Sequence, residues 1–198
     1  MRYLALGDSY TIGEGVAEGE RWPAQLVARL RREGTAVDEL QIVATTGWTT
    51  DELSAAMDAA PLAPPYDMVS LLIGVNNQYR GRSVEEYRSE FRQLLDRAVA
   101  LAGSRSERVF VLSIPDWGVT AFGRQSGRDI AQIAHELDVH NAAARDICAA
   151  RKVAWVDIAP LSRAWPAQVT GDGLHPSGEQ YALWAAAAWP AVCAALAR

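Results

Sequence analysis

Residues 2–9 read RYLALGDS, an apolar run that stops on a glycine, an aspartate and a serine. From Tyr3 to Leu6 the run carries no charge and no polar alternation, the pattern of a strand buried on both faces. Gly7, Asp8 and Ser9 are ordinary turn residues, because glycine permits positive φ and Asp and Ser bond nearby backbone. By itself the tripeptide reads as a connection. Ser9 becomes a nucleophile only if the rest of the chain supplies a base, an orienter for that base and an oxyanion hole.

Four more runs of this kind follow: QIVATT (41–46), DMVSLLIG (67–74), RVFVLSIP (108–115) and VAWVDI (153–158). Helical patterns separate them at 22–33, 50–60, 84–102 and 129–150, and a last one covers 177–189. Leu26, Val27 and Leu30 share one helical face, as do Tyr87, Phe91, Leu94 and Leu95 with Arg and Glu opposite. Ser83 followed by Glu86 is a capping-box start, and Gly103 sits where that helix should stop. Strands apolar on both faces that alternate with helices imply an α/β fold, a parallel sheet covered on both sides. No repeat and no Pro/Gly linker divides the chain, so one domain over 1–198 is expected. The longest irregular stretch, PDWGVTAFGRQSGR (115–128), reads as a loop that covers a site or is mobile.

Composition narrows the function classes. The residues are 49% apolar and 22% charged, which is globular rather than disordered, and a net charge of −5 leaves no electrostatic footprint for nucleic acid. Cys148 and Cys193 lie in separate alanine-rich segments and read as buried free thiols. No apolar span is long enough for a transmembrane helix, and Asp8 interrupts the N-terminal run too early for a signal peptide, so a cytoplasmic protein is expected.

In an open parallel sheet, ligands bind beyond the carboxyl ends of the strands. That rule selects GDS (7–9), TTGWTT (45–50), GVNN (74–77) and IPDWG (114–118). Ser9 can attack a carbonyl. Gly47 can bring a bare N–H to an oxyanion, Asn76 can aim an amide at the same point, and the Ser9 N–H can add a third donor. For the base there are three histidines. His135 and His140 flank Asp138 on a helical pattern and read as a helix face. His175 lies in TGDGLHPSG (170–178), three residues after Asp172, a spacing that lets a carboxylate hold Nδ1–H and leaves Nε2 free. An incidental turn with a DxxH pattern is the other reading of that segment. Pro176 and Ser177 start the last helix. Asp8 reads as loop architecture, and Glu14, Glu18, Glu20 and Arg21 as solvated. Asn77, Trp48 and Trp117 are candidates to touch substrate, with packing or loop capping as the alternative for each.

Together, GDSYTIGEG, TTGWTTDEL, LLIGVNNQY and DGLHPSGEQY resemble the SGNH hydrolases, the GDSL-type esterases and lipases, along the whole chain. The resemblance implies Ser9 as nucleophile, His175 and Asp172 as base and orienter, and Ser9, Gly47 and Asn76 as oxyanion donors. It also implies a three-layer α/β/α sandwich with five parallel strands in flavodoxin-like order. GDSY departs from GDSL at Tyr10, a position that bears on the acyl pocket rather than on the chemistry.

The leading reading is a serine esterase without metal or cofactor that acts on small or medium acyl esters through an acyl-enzyme. A carbohydrate deacetylase, lysophospholipase or thioesterase would use the same triad. A non-catalytic carbohydrate or acyl-ligand module could use the same crevice, and a flavodoxin-like phosphate binder would lack its glycine-rich loop. Oligomeric state is not legible in the sequence.

Overall fold

The computed structural model describes residues 1–197. Among them, one five-stranded sheet has the order β2-β1-β3-β4-β5 with every neighbouring pair parallel. The strands are β1 (Arg2–Gly7), β2 (Glu39–Ala44), β3 (Met68–Leu72), β4 (Val109–Leu112) and β5 (Ala154–Val156). β3 and β4 are buried along their whole length and β1 from Tyr3 onward, whereas the edge strands β2 and β5 are only partly buried. The three inner strands lie under helices on both faces, which is why their sequences show no polar alternation.

The longer helices form the outer layers. α2 (Trp22–Arg32) and α9 (Gly178–Leu196) pack on each other over one face; α3 (Thr50–Ala59), α5 (Val84–Leu101) and α7 (Ile130–Arg151) pack side by side over the other. α2 buries Leu26, Val27 and Leu30, and α5 buries Tyr87, Phe91, Leu94 and Leu95, the faces their periodicity marks. Each such side chain contributes roughly 1.5–3 kcal/mol when removed from water. Ser83 caps α5 by accepting the Glu86 N–H at 3.1 Å. The Glu86 carboxylate turns to Arg82 at 3.4 Å instead of completing the box.

Four short helices have no periodic signature: α1 (Ser9–Ile12), α4 (Val75–Tyr79), α6 (Ala121–Gln125) and α8 (Ala159–Ala164). Residues 115–128, expected as a loop, hold α6 and a 3-10 turn at Trp117–Val119. Side-chain caps create them: Asp116 accepts the Gly118 N–H at 2.9 Å and Thr120 the Gly123 N–H at 3.1 Å. α9 also exceeds its expected end at Trp189. It continues through Pro190 because Trp184, Ala188, Val192 and Ala195 keep one face buried. Cys148 is buried as expected, but Cys193 lies on the outer face of α9 and is exposed. Among the described residues no helix is long and apolar enough to cross a membrane.

Chain order reverses between β1 and β3, which pair in register so that Gly7 lies opposite Leu72, while Ala44 of β2 flanks Gly7 on the other side. The exits of β1, β2 and β3 therefore leave the sheet at one level. Gly7 is where the packing is tightest. A Cβ there would stand 2.2 Å from Thr11 Oγ1 and 2.5 Å from the Leu72 carbonyl oxygen. Gly7→Ala should destabilise the fold by about 1–3 kcal/mol or more, since backbone cannot retreat as a side-chain tip can. Urea unfolding measures this, and an unchanged midpoint would show that the exit of β1 is looser than described.

Candidate active site

The site begins where β1 stops. Asp8 is the N-cap of α1, and its Oδ1 accepts the Tyr10 N–H at 3.0 Å. Ser9 is the first residue of α1, and Gly13 closes that helix in the left-handed region at φ 73°. Burial pushes the Asp8 carboxyl up to about 7, against the Tyr10 N–H, which favours the anion. Its Oδ2 is buried without a hydrogen-bond partner among the described residues.

After β2, Gly47 has φ +89°, a conformation open chiefly to glycine. Its carbonyl accepts from Arg80 Nη2 at 2.7 Å, and the next carbonyl, of Trp48, accepts from Asn76 Nδ2 at 2.9 Å. The N–H groups of Ser9 and Gly47 donate to no other group among the described residues. One amide proton of Asn76 is held by Trp48 and the other remains available. α4 starts right after Gly74, where φ is +127° and a Cβ would meet the Tyr87 ring at 2.5 Å.

The fourth segment precedes α9. Thr170 N–H donates to the His175 carbonyl at 2.7 Å, and Val169 and Pro176 form a bridge that closes the turn. Inside it Asp172 Oδ1 accepts from the N–H groups of Leu174 (2.8 Å) and His175 (3.0 Å) and from Thr170 Oγ1 (2.8 Å). Its Oδ2 accepts from His175 Nδ1 at 2.6 Å. Partial burial raises the Asp172 carboxyl, but the hydrogen bonds from His175, the two N–H groups and Thr170 outweigh it and hold the group down at about 2. Asp172 thus stays anionic and holds His175 through Nδ1, which turns Nε2 away from the carboxylate. The Phe122 N–H, donating to the Gly173 carbonyl at 3.0 Å, docks this turn on α6.

Ser9, Gly47, Asn76 and His175 line one pocket of about 220 Å³. Its remaining wall is Tyr10, Thr46, Val75, Tyr79, Trp117, Phe122 and Leu174. Trp117 lies in the wall, its Nε1 donating to Gln78 Oε1 at 2.8 Å and its ring meeting Tyr79 edge-on at 5.4 Å. The other two candidate substrate contacts, Asn77 and Trp48, are not among the residues that line this pocket. Asn77 is fully buried, donating to Thr50 Oγ1 at 2.6 Å and accepting the Thr50 N–H at 3.1 Å, so it ties α4 to α3. Trp48 packs, partly buried, against the core, and its carbonyl accepts from Asn76 Nδ2. Glu14, read as solvated, accepts from Thr46 Oγ1 at 2.5 Å. His135 and His140 do not line this pocket; His140 is buried against Tyr87 and donates from Nδ1 to the Glu136 carbonyl. Tyr79, Phe122 and Leu174 had no signal in the sequence, since the walls come from segments with no period.

A family model described as GDSL-like lipase/acylhydrolase matches residues 5–183. The chain belongs to that family. It is a hydrolase family, and its members' fold recurs in solved structures. A crystal structure of TesA superposes with a TM-score of 0.79 at 19% identity, covering 99% of this chain and 100% of that one. The psychrotrophic esterase EstA from Pseudoalteromonas sp. gives 0.74 at 16% identity, covering 100% of this chain and 99% of its own. Axe2, an acetylxylan esterase from Geobacillus stearothermophilus, gives 0.74 at 19%, with 96% and 93% covered. At these identities the likeness is one of fold. A sequence comparison with curated proteins finds no match. Among the described residues no group of three or more His, Cys, Asp or Glu is placed to hold a metal ion.

Asp8 makes stability depend on pH in a direction opposite to the usual carboxylate. Its folded pKa of about 7 exceeds the unfolded value of ~3.9. Between those values the unfolded chain releases a proton that the folded chain keeps. The contribution of Asp8 to stability therefore falls as pH rises through this window and is level above it. Asp8→Asn keeps the acceptor for the Tyr10 N–H and removes the titration. The melting temperature of Asp8→Asn relative to wild type should be higher at pH 8 than at pH 4; a pH-independent difference would overturn the assignment.

Proposed function

We propose that this member of the family is a serine carboxylesterase that cleaves small or medium acyl esters through an acyl-enzyme on Ser9. The observation that carries the reading is the convergence of Ser9, His175, Gly47 and Asn76 on one pocket, with Asp172 holding His175 Nδ1 at 2.6 Å from behind. In this mechanism Ser9 Oγ attacks the ester carbonyl carbon while His175 Nε2 takes the hydroxyl proton. The carbonyl oxygen becomes an oxyanion and receives hydrogen bonds from the Ser9 and Gly47 N–H groups and from Asn76 Nδ2. Collapse breaks the bond to the alkoxy oxygen, which leaves as alcohol with the proton from His175. Water then attacks the acyl-enzyme, giving its proton to His175, and the acid departs as Ser9 regains that proton. Asp172, anionic across this cycle, stabilises the imidazolium that forms twice.

The wall supports an acyl chain as the group bound. Val75, Trp117, Phe122 and Leu174 present mainly carbon; besides the groups assigned to the reaction, the polar side chains of the lining are Tyr10, Thr46 and Tyr79, and the Thr46 hydroxyl is already held by Glu14. A sugar ring would need hydroxyl partners, which this wall supplies poorly. Acetylated xylose, suggested by the acetylxylan esterase among the fold relatives, is accordingly the comparison substrate rather than the expected one.

A serine-directed fluorophosphonate should label Ser9 alone, and Ser9→Ala should show neither label nor turnover on p-nitrophenyl esters. An adduct mapped elsewhere, or no adduct, would remove the nucleophile. Across an ester series kcat/KM should be higher for butyrate to octanoate than for acetylated xylose, and the reverse order would overturn the acyl assignment.

Asn76→Ala should reduce kcat by roughly 10²–10³ with little change in KM, because the oxyanion exists only after attack. If Asn76 served the loop alone, Asn76→Ala would lower thermal stability and disturb KM and kcat together. Steady-state kinetics beside a melting curve separate the two.

A further inference from the structure

We propose that Arg80 is a positioning residue for the oxyanion hole, locking the Gly47 loop onto α4 so that the Gly47 N–H and Asn76 Nδ2 point at one spot. The proposal rests on the esterase reading above and extends it to a residue outside the pocket, since Arg80 is not among the lining residues.

Residues 45–48 hold themselves together poorly. Their one internal backbone bond runs from the Trp48 N–H to the Thr45 carbonyl at 3.3 Å, beyond the usual range for such a bond. Gly47, with φ +89° and no side chain, is the softest point of the loop. A donor on such a backbone would drift, and an oxyanion donor is effective only when it needs no reorganisation as charge develops.

The loop is fixed from outside. On the near side Thr46 Oγ1 donates to Glu14 Oε2 at 2.5 Å, and beyond Gly47 two successive carbonyls are held from α4. Asn76 Nδ2 takes the Trp48 carbonyl at 2.9 Å, and Arg80 Nη2 takes the Gly47 carbonyl at 2.7 Å. The peptide that carries the Gly47 N–H thus lies between two anchors. Arg80 is itself set at the end of α4, where its N–H donates to the Asn76 carbonyl at 3.0 Å. Its other terminal nitrogen, Nη1, donates to Glu52 Oε1 at 3.2 Å, while Glu52 Oε2 accepts the Thr49 N–H at 2.8 Å. One guanidinium fork therefore joins the Gly47 loop, the start of α3 and the helix that carries Asn76. A lysine has a single ammonium and cannot reproduce a planar fork with two nitrogens aimed apart.

The test compares Arg80→Gln, Arg80→Lys and Asn76→Ala. Arg80 is a surface residue, 43% exposed in its side chain, so both of its variants are expected to fold, with melting temperatures checked alongside. Arg80→Gln should lower kcat by roughly ten- to a hundredfold while KM stays within about twofold, the scale of a donor displaced by a fraction of an ångström to an ångström. Arg80→Lys should keep most of that loss. Affinity for an alkylboronate, whose tetrahedral Ser9 adduct places an oxygen at the oxyanion position, should weaken by the same factor as kcat. Wild-type kcat in folded Arg80→Gln beside an impaired Asn76→Ala would overturn the role of Arg80 and leave the esterase reading standing. A loss of kcat with unchanged boronate affinity, or full activity in Arg80→Lys, would also overturn it. Wild-type kcat in Asn76→Ala would remove the oxyanion hole itself, and the role of Arg80 with it.

Discussion

The contact of β1 with β3 at Gly7 is the constraint on which the site depends. Gly7 pairs with Leu72 at the point where chain order reverses, and Thr11 folds back onto the space a side chain would fill. The chain can therefore turn out of β1 within a single residue and start α1 at Ser9. Because β2 and β3 end level with β1, the loops after them arrive at the same height, and three segments distant in sequence meet over one edge of the sheet.

Polar side chains then convert that meeting into a defined geometry. Loops at the end of a parallel sheet have no ladder of their own, so each is held by bonds to its neighbours. Asn77 ties α4 to the start of α3, Asp116 caps the turn that carries Trp117, and Asp172 gathers two N–H groups, a hydroxyl and an imidazole into one turn. Most of these groups satisfy buried or half-buried polar atoms, which links the order of the site to the stability of the fold. Asp8 and its neighbour Thr11 differ: one oxygen of Asp8 and the Thr11 hydroxyl have no partner among the described residues, and burial raises the Asp8 pKa to about 7. The residue beside the proposed nucleophile is therefore costly to ionise where it stands.

The sequence was readable wherever one physical signal dominated. Five apolar runs became five strands, and the long helices lie where periodicity put them, because burial on one or two faces leaves a repeating trace. The short helices α1, α4, α6 and α8 left none; a turn or two fixed by a single cap has no period to detect. Asn77 illustrates the limit at the site. Its position after Asn76 is compatible with a place in the pocket, and only the packing of Thr50 against it turns the amide inward.

The sequence by itself determined the fold class, the order of strands and helices, the membership of the chain in its family, and the candidates for nucleophile, base and oxyanion donors. Those depend on local residue chemistry and on short motifs. The tertiary structure alone decided what surrounds them: a wall of Tyr79, Phe122 and Leu174, the retreat of Trp48 and Asn77 from the pocket, and the clamp of Arg80 on Gly47. Each of these joins residues far apart in the chain, such as Gly47 and Arg80, or Phe122 and Gly173. Such contacts exist only after the sheet has brought its strand ends together, and no spacing along the chain encodes them.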